Sequence, residues 1–284
     1  MSDDHPTSRR RSVLFMPASN PRAMAKARGL DCDAVILDLE DAVAPEAKAR
    51  GREAALAEAA EGFGGRTCAV RINALDTPWG QGDAVAASRA SGVAAVVVPK
   101  VASAADLVAV RAALGTDGPP VWAMIETCGA MLRLAEIVGA AAATRTELLI
   151  AGTNDLAKEM RCRSGVDRAP LVPALAQLVI GARAAGLVVL DGVYNAIGDA
   201  AGFAAECAQG AMLGFDGKTL IHPAQIAAAN AAFGPSDEEL AWARGVVAAF
   251  AAPEAAEKGA IRLDGAMVER LHLAEAERLL ALAG

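Results

Sequence analysis

Short, nearly uninterrupted apolar runs recur along the first 220 residues, and segments of helical composition separate them. Runs that lack polar and apolar alternation are typical of strands buried on both faces of a parallel sheet. Their number and their spacing of about 25 to 40 residues predict an α/β fold, a closed (β/α)₈ TIM barrel. The eight predicted strands are SVLFMP (12–17), AVILDLED (34–41), TCAVRIN (67–73), AAVVVPK (94–100), VWAMI (121–125), ELLIA (147–151), LVVLDG (187–192) and AMLGFDGK (211–218).

The segments between and after these runs predict helices, and they divide the chain into three parts. We expect a disordered N-terminal tail (1–11), the barrel (12–252) and a C-terminal helical lid or oligomer-contact segment (253–284). Apolar positions make this last segment amphipathic from about Met267, so its apolar stripe must be buried against a neighbouring surface. The predicted helices cover 21–29, 45–61, 103–114, 172–185, 199–209 and 236–252.

Charged and amide side chains concentrate where the predicted strands end. Glu126 and Asp155 lie 29 residues apart, about one strand-helix-strand unit. If their strands are neighbours, both carboxylates project from one edge of the sheet, where Mg²⁺ is the cation that such a pair prefers. A helix-capping Asp and a surface Glu would explain the same residues, and both interpretations stay open here. The strand ends supply Asp38, Glu40, Asp41, Arg71, Asn73, Lys100, Glu126, Asp155, Asp191, Asp216 and Lys218.

Other chemistries have weaker support in the sequence. Lys100 could form a Schiff base, although an ion pair with a neighbouring acid is the simpler interpretation. GFDGKT (214–219) lacks the first glycine of a phosphate-binding loop, and no G-x-G-x-x-G follows a strand. Three histidines are too few for an imidazole-rich zinc site.

Composition narrows the class of partner and the compartment. The net charge of −7 argues against nucleic acid as a partner. No apolar run reaches the roughly 20 residues needed to cross a membrane. Five scattered cysteines without a C-x-x-C pair indicate reduced thiols, so we expect a cytoplasmic protein.

The motifs, taken in order, resemble one family. They are LFMPASNPRAMAKA, VILDLEDAV, VRIN, VVPK, MIETCGAM, GTNDLA, LDGVY and GFDGKTLIHPAQI. In this combination they are similar to the citrate lyase β-subunit (CitE-like) proteins of the HpcH/HpaI aldolase superfamily. The resemblance implies a Mg²⁺-dependent barrel that acts on a C–C bond of citryl-CoA, malyl-CoA or citramalyl-CoA and releases acetyl-CoA and a 2-oxo acid. It also implies a homotrimer or hexamer.

The same resemblance assigns expected roles to individual residues. Glu126 and Asp155 match the metal ligands, with Asp155 also beside the substrate, and Arg71 matches the catalytic arginine that holds substrate oxygens. Glu269 matches the catalytic lid acid that moves a proton, although the family has Asp there, and Leu271 and Pro17-Ala18 replace the family's proline and Pro-Gly. The remaining matches are Phe15, Arg22 and Lys26 for coenzyme A, and Glu40 and Asp41 for orienting Arg71.

Two alternatives stay open. The chain could be a pyruvate- or oxaloacetate-forming aldolase of the same superfamily that acts on free acids. It could also be an acyl-CoA-binding subunit of reduced activity, working beside an acyl carrier protein and a transferase subunit.

Overall fold

The computed structural model describes residues 9–163, 165, 167–252, 255 and 258–283. The described residues form two compact units, Arg10–Asn230 and a C-terminal unit that begins at Ala231. Residues 1–8, which make up most of the predicted N-terminal tail, lie outside the described residues. The sequence-based division, which ends the barrel at 252, stays a prediction.

Eight parallel strands close into a barrel within the described residues, as predicted. Each strand pairs with the next along the chain, and the last pairs with the first through Ser12↔Lys218 and Val13↔Thr219. The strands are β1 (Ser12–Pro17), β2 (Ala34–Asp38), β3 (Thr67–Arg71), β4 (Ala95–Val98), β5 (Val121–Ile125), β6 (Thr146–Ala151), β7 (Val188–Asp191) and β8 (Gly217–Leu220).

Alternation along the strands decides which side chains fill the barrel. The interior core contains Ile36, Ala69 and Met124, one from each of three strands. Because side chains two residues apart share a face, Asp38, Arg71 and Glu126 follow these three on the inner side at the carboxyl ends. The apolar interior therefore carries a charged layer at one end.

Helices connect the strands, and their ends follow local capping signals. The Asn20 side chain accepts a hydrogen bond from the Ala23 amide, and Ser236 with Glu239 forms a capping box, both at helix starts that the sequence predicted. The described helices are α1 (Pro21–Ala27), α2 (Lys48–Glu61), α3 (Gly80–Arg89), α4 (Ala104–Leu114), α5 (Cys128–Leu132), α6 (Leu134–Gly139), α7 (Ala141–Thr144), α8 (Thr153–Met160), α9 (Val172–Ala184), α10 (Ala200–Leu213), α11 (Ile226–Phe233), α12 (Asp237–Ala251) and α13 (Arg270–Ala283).

The start of the eighth strand was predicted wrongly. Residues 211–213 of AMLGFDGK belong to α10, which ends at Gly214 in the left-handed region (φ 95°). β8 begins only at Gly217, so Asp216 precedes the strand and Lys218 lies within it. Neither residue is at the carboxyl end of a strand.

The C-terminal unit differs from the predicted continuous amphipathic segment. Two antiparallel strands, β9 (Ala260–Leu263) and β10 (Ala266–Glu269), precede α13. Asp264 and Gly265 join them with positive φ angles of 52° and 84°, the conformation that an Asp-Gly hairpin turn favours. The helical pattern therefore begins at Arg270.

Only part of the predicted apolar stripe is buried. Val268 and Leu279 belong to a core with Val246 and Phe250 of α12, whereas Met267 and Leu271 are mostly exposed. Within the described residues, no helix combines the length and apolar character that a membrane span requires.

Candidate active site

A cavity of about 440 Å³ opens at the carboxyl ends of the barrel strands. It brings together residues that the sequence places far apart. Its walls include Phe15 of β1, Asp38 of β2, Arg71 of β3, Glu126 after β5 and Asp155 of α8. The convergence of an arginine and several carboxylates makes this cavity the candidate active site.

Arg71 is held rigidly at the cavity wall. Its Nε and a terminal nitrogen donate to the two carboxylate oxygens of Asp38, at 2.7 and 2.6 Å, and its other terminal nitrogen lies 2.9 Å from Glu40. The guanidinium also stacks on the Phe15 ring, 4.9 Å from its centroid. Burial disfavours the charge, but the Asp38 hydrogen bonds together with the negative charges of Asp38, Glu40 and Asp41 outweigh burial, so the pKa of Arg71 is raised. A cation fixed in this way can bind a substrate carboxylate or carbonyl oxygen without reorganising.

Glu40 and Lys100 connect Arg71 to Glu126. The Lys100 ammonium lies 3.0 Å from Glu40, which confirms the ion-pair interpretation of this lysine. The hydrogen bond to Glu40 raises the pKa of Lys100, which keeps the ammonium protonated. The Lys100 amide, in a left-handed conformation (φ 55°), donates to Oε1 of Glu126 at 2.6 Å. One residue therefore contacts both acids.

Glu126 is almost completely buried, and its charge is poorly compensated. Burial is the main cause that raises the pKa of its carboxyl to about 7, and the charges of Asp155 and Glu40 add to the effect. Gly152 permits this placement, because a Cβ at position 152 would overlap Cβ and Oε2 of Glu126. Asp155 lies in the first turn of α8, which begins immediately after Gly152.

The donor set fits a hard divalent cation. The described residues contain no group of three or more His, Cys, Asp or Glu side chains placed to hold a metal. Mg²⁺ needs only one or two carboxylates, because water and substrate oxygens complete its coordination. Two acids on one cavity wall, one of which has its pKa raised partly by the other, form a pair that a cation would stabilise.

Several predicted strand-end residues lie elsewhere. Asp191 and Lys218 form an ion pair of 2.8 Å with both side chains fully buried, and Lys218 also lies 2.8 Å from Glu206 of α10. Arg168 contacts Asp191 at 2.8 Å. The reason is again alternation: Leu190 faces the barrel interior, so its neighbour Asp191 faces the helices.

Two further residues that the sequence placed at strand ends also have structural partners. The Asn73 amide group donates to Asp83 of α3 at 2.6 Å. Asp216 pairs with Arg183 at 2.8 Å, in the loop before β8. Neither lines the cavity.

The structure also shows where the other residues lie whose roles were assigned by resemblance. Asp41 lines the cavity and is exposed, whereas it is Asp38 that holds Arg71 with two hydrogen bonds. Arg22 and Lys26 are exposed on α1, the helix that follows β1 and Phe15. Glu269 ends β10 in the C-terminal unit, where its amide donates to His272. The roles of these residues remain predictions.

Sequence reasoning missed an amide pair at the cavity. Asn195, after β7, donates to the side-chain oxygen of Asn154 at 2.7 Å, and both residues line the cavity. This pair joins the first turn of α8 to the segment after β7, beside Asp155. Only the position of Asn154 next to Asp155 could have indicated it, because Asn195 is distant in sequence.

Comparisons with known proteins find relatives over most of the chain. Residues 11–223 match the model of the family HpcH/HpaI aldolase/citrate lyase. The chain is 48% identical over 275 residues to a (3S)-malyl-CoA thioesterase of Cereibacter sphaeroides, covering 96% of this chain and 94% of the relative. It is 34% identical over 301 residues to an L-malyl-CoA/β-methylmalyl-CoA lyase of the same species, with coverage of 96% and 94%.

A solved structure extends the agreement to the fold. CitE from Mycobacterium tuberculosis, in complex with magnesium, acetoacetate and coenzyme A, superposes with a TM-score of 0.79 at 33% identity, over 98% of this chain and 99% of that one. The barrel, the family model and these relatives lead to one conclusion: the chain is a CitE-like member of the HpcH/HpaI aldolase/citrate lyase family.

Proposed function

We propose that this protein is a Mg²⁺-dependent enzyme that hydrolyses the thioester of a malyl-CoA-type hydroxyacyl-CoA. One observation carries the proposal: Arg71, fixed by Asp38, lines the same cavity as the carboxylate pair Glu126 and Asp155. That cavity suits a substrate with a carboxylate, a hydroxyl and a thioester carbonyl. The 48% identity to a malyl-CoA thioesterase supports hydrolysis as the reaction.

Glu126 and Asp155 are the residues that would hold the metal. When bound, Mg²⁺ would supply Lewis-acid polarisation of substrate oxygens. Arg71 would bind a substrate oxygen through donors that Asp38 and Glu40 hold in place. In hydrolysis, water adds to the thioester carbonyl carbon, the C–S bond breaks, and the sulfur leaves as the coenzyme A thiol after taking a proton.

C–C bond cleavage is the second candidate, and the malyl-CoA lyase relative supports it. The same substrate would then lose its hydroxyl proton and break the bond between the hydroxyl-bearing carbon and the thioester α-carbon. A 2-oxo acid would leave, and the released α-carbon would take up a proton to give acetyl-CoA. Glu269 is proposed as the acid that moves the proton. It is the last residue of β10, so it lies on a hairpin rather than within a helix.

Recognition of coenzyme A is proposed for the first strand-helix segment. Phe15 lines the cavity, and exposed Arg22 and Lys26 offer cations to the nucleotide phosphates. The magnesium, acetoacetate and coenzyme A complex of M. tuberculosis CitE supports both the metal and the coenzyme. We further propose a cytoplasmic homotrimer or hexamer, with an acyl carrier protein and a transferase subunit as further candidate partners.

Product analysis tests the proposal and separates the two reactions. The protein would be incubated with (3S)-malyl-CoA and Mg²⁺, and the products separated by chromatography. Malate with free coenzyme A indicates hydrolysis, whereas glyoxylate with acetyl-CoA indicates C–C cleavage. Chelation of Mg²⁺ should abolish turnover, as should Asp155→Asn.

Asp76→Asn is the matched control, because Asp76 is an exposed residue outside the cavity lining. It should keep the parent rate. Turnover that survives chelation would refute the metal assignment. Absence of turnover with malyl-, citramalyl- and citryl-CoA, combined with aldol cleavage of a free hydroxy acid, would favour the free-acid aldolase. Coenzyme A binding without any turnover would favour a binding subunit.

A further inference from the structure

Lys48 is a buried lysine beside the candidate active site. It is the first residue of α2, and only 7% of its surface is exposed. Its ammonium donates to the backbone carbonyl of Leu39 at 2.8 Å and to that of Glu40 at 2.7 Å. The Trp79 ring covers it, with the centroid 5.4 Å from Nζ. Two carbonyls and an aromatic face thus surround the charge.

The two carbonyls belong to the turn that leaves β2. The Glu40 carbonyl also accepts from the Val43 amide at 3.0 Å, and the Glu40 amide donates to Asp38 at 2.9 Å. Lys48 therefore holds the backbone of the turn that carries the Glu40 side chain. That carboxylate in turn contacts Arg71 and Lys100, at 2.9 and 3.0 Å.

The local charges explain why a lysine is suited to this position. Asp38, Glu40 and Asp41 crowd three acids into four residues. Among the described residues, no carboxylate lies within ion-pair distance of Lys48, so its charge attracts the three acids over a longer distance rather than by direct pairing. Burial lowers the pKa of Lys48, and the charges of Asp38, Glu40 and Asp41 oppose that effect.

We infer that Lys48 is a positioning residue for the active site: by holding the Leu39 and Glu40 carbonyls, it sets the Glu40 carboxylate that orients Arg71. Removing the ammonium leaves both carbonyls without this donor, and the turn relaxes. Glu40 then moves away from Arg71, which loses one of its two acidic partners. The kinetic consequence rests on the proposed function, whereas the structural consequence does not.

A double-mutant cycle tests the inference. Lys48→Met removes the ammonium with similar volume, Glu40→Gln removes the charge it positions, and the two are combined. We expect Lys48→Met to lower kcat/KM for malyl-CoA by about 10- to 100-fold, chiefly through kcat, because a shift near 1 Å has this effect. The double variant should lose little beyond Glu40→Gln alone. Fully additive losses would overturn the inference, since they mean that Lys48 acts independently of Glu40.

Controls separate positioning from general destabilisation. Arg50→Met removes an exposed cation from the same helix and should keep the parent kcat/KM. Lys48→Gln keeps a hydrogen-bond donor, should retain part of the activity, and replaces Lys48→Met if that variant does not fold. Parent-like kcat/KM in a folded Lys48 variant would overturn the inference.

A crystal structure of the Lys48 variant gives an answer independent of the substrate. We expect the Glu40 carboxylate to lie beyond 4 Å from Arg71, instead of 2.9 Å. Retention of that contact would overturn the inference even if the parent enzyme is active. If the parent turns over no thioester, the proposed function fails, and the displacement of Glu40 alone decides the positioning role.

Discussion

The substitution Gly152→Ala offers a direct test of the carboxylate pair. The backbone tolerates alanine, since the φ of Gly152 is −87°. The added methyl, however, would overlap Cβ and Oε2 of Glu126 and lie 3.1 Å from its Cδ. Restoring ordinary contact of about 3.5 Å requires Glu126 to move by roughly 1 Å. A displacement of about 1 Å lowers activity by roughly 10²-fold.

We therefore expect Gly152→Ala to lower kcat/KM for malyl-CoA about 100-fold and to weaken Mg²⁺ binding about 10-fold or more, as loss of ligand orientation does. Overpacking should also destabilise the fold by about 1–3 kcal/mol. Steady-state kinetics, titration calorimetry with Mg²⁺ and thermal unfolding measure the three quantities. Binding is measured without substrate, so it also tests the metal pair when the reaction is unknown.

Gly139→Ala is the matched control. Gly139 is exposed at the end of α6, and an added Cβ there meets no atom within 4 Å. This variant should keep the parent activity and Mg²⁺ affinity. If Gly152→Ala also keeps both, within a few-fold, the reasoning that close packing places Glu126 for the metal is refuted.

Three further predictions concern Arg71, Lys218 and Glu269. Arg71→Lys should lower kcat/KM by about 10²-fold or more, because an ammonium cannot reproduce the paired hydrogen bonds; an effect of only a few-fold would make Arg71 structural. Lys218→Met should lower the free energy of unfolding by about 3–5 kcal/mol in denaturant titrations, because buried Asp191 loses a partner. Burial raises the pKa of Asp191, but Lys218 and Arg168 outweigh burial, so the pKa is lowered. The stability that this ion pair contributes is therefore present above the unfolded pKa of about 3.9 and is lost as pH falls through the folded pKa. A smaller loss at neutral pH than in acid would contradict this. Mixed oligomers of Glu269→Gln and Asp155→Ala chains should regain activity if Glu269 acts across subunits, and no rescue would contradict action in trans.

The sequence predicted the barrel because each strand carries its own local signal. Runs such as AVILD and AAVVV need no distant partner to be identified, and Asn20 and Ser236 mark helix starts within a few residues. The spacing of Glu126 and Asp155 correctly predicted that they lie near each other, because one strand-helix-strand unit brings both to the same cavity. The regular spacing of strands and helices was therefore enough to predict the fold and the proximity of the two acids.

The errors came from positions where two local signals compete. Residues 211–213 are apolar enough for a strand, but they continue α10 until Gly214 ends it. Met267 and Val268 fit a helical stripe, but the Asp264-Gly265 turn places them in a hairpin. A polar residue at a strand end was also an ambiguous signal for the cavity. Arg71 and Asp191 both end strands, but Arg71 faces the barrel interior and Asp191 faces the helices.

The sequence by itself determined the fold class and the family, and it indicated the arginine and the two acids that line the cavity, since these depend on composition and order along the chain. Only the tertiary structure decided which charges meet. Asp38 and Glu40 hold Arg71, Lys48 holds the turn behind them, and Lys218 is removed into a buried cluster with Asp191. The physical reason is that charge interactions depend on distance and burial, and strand register and helix packing set both.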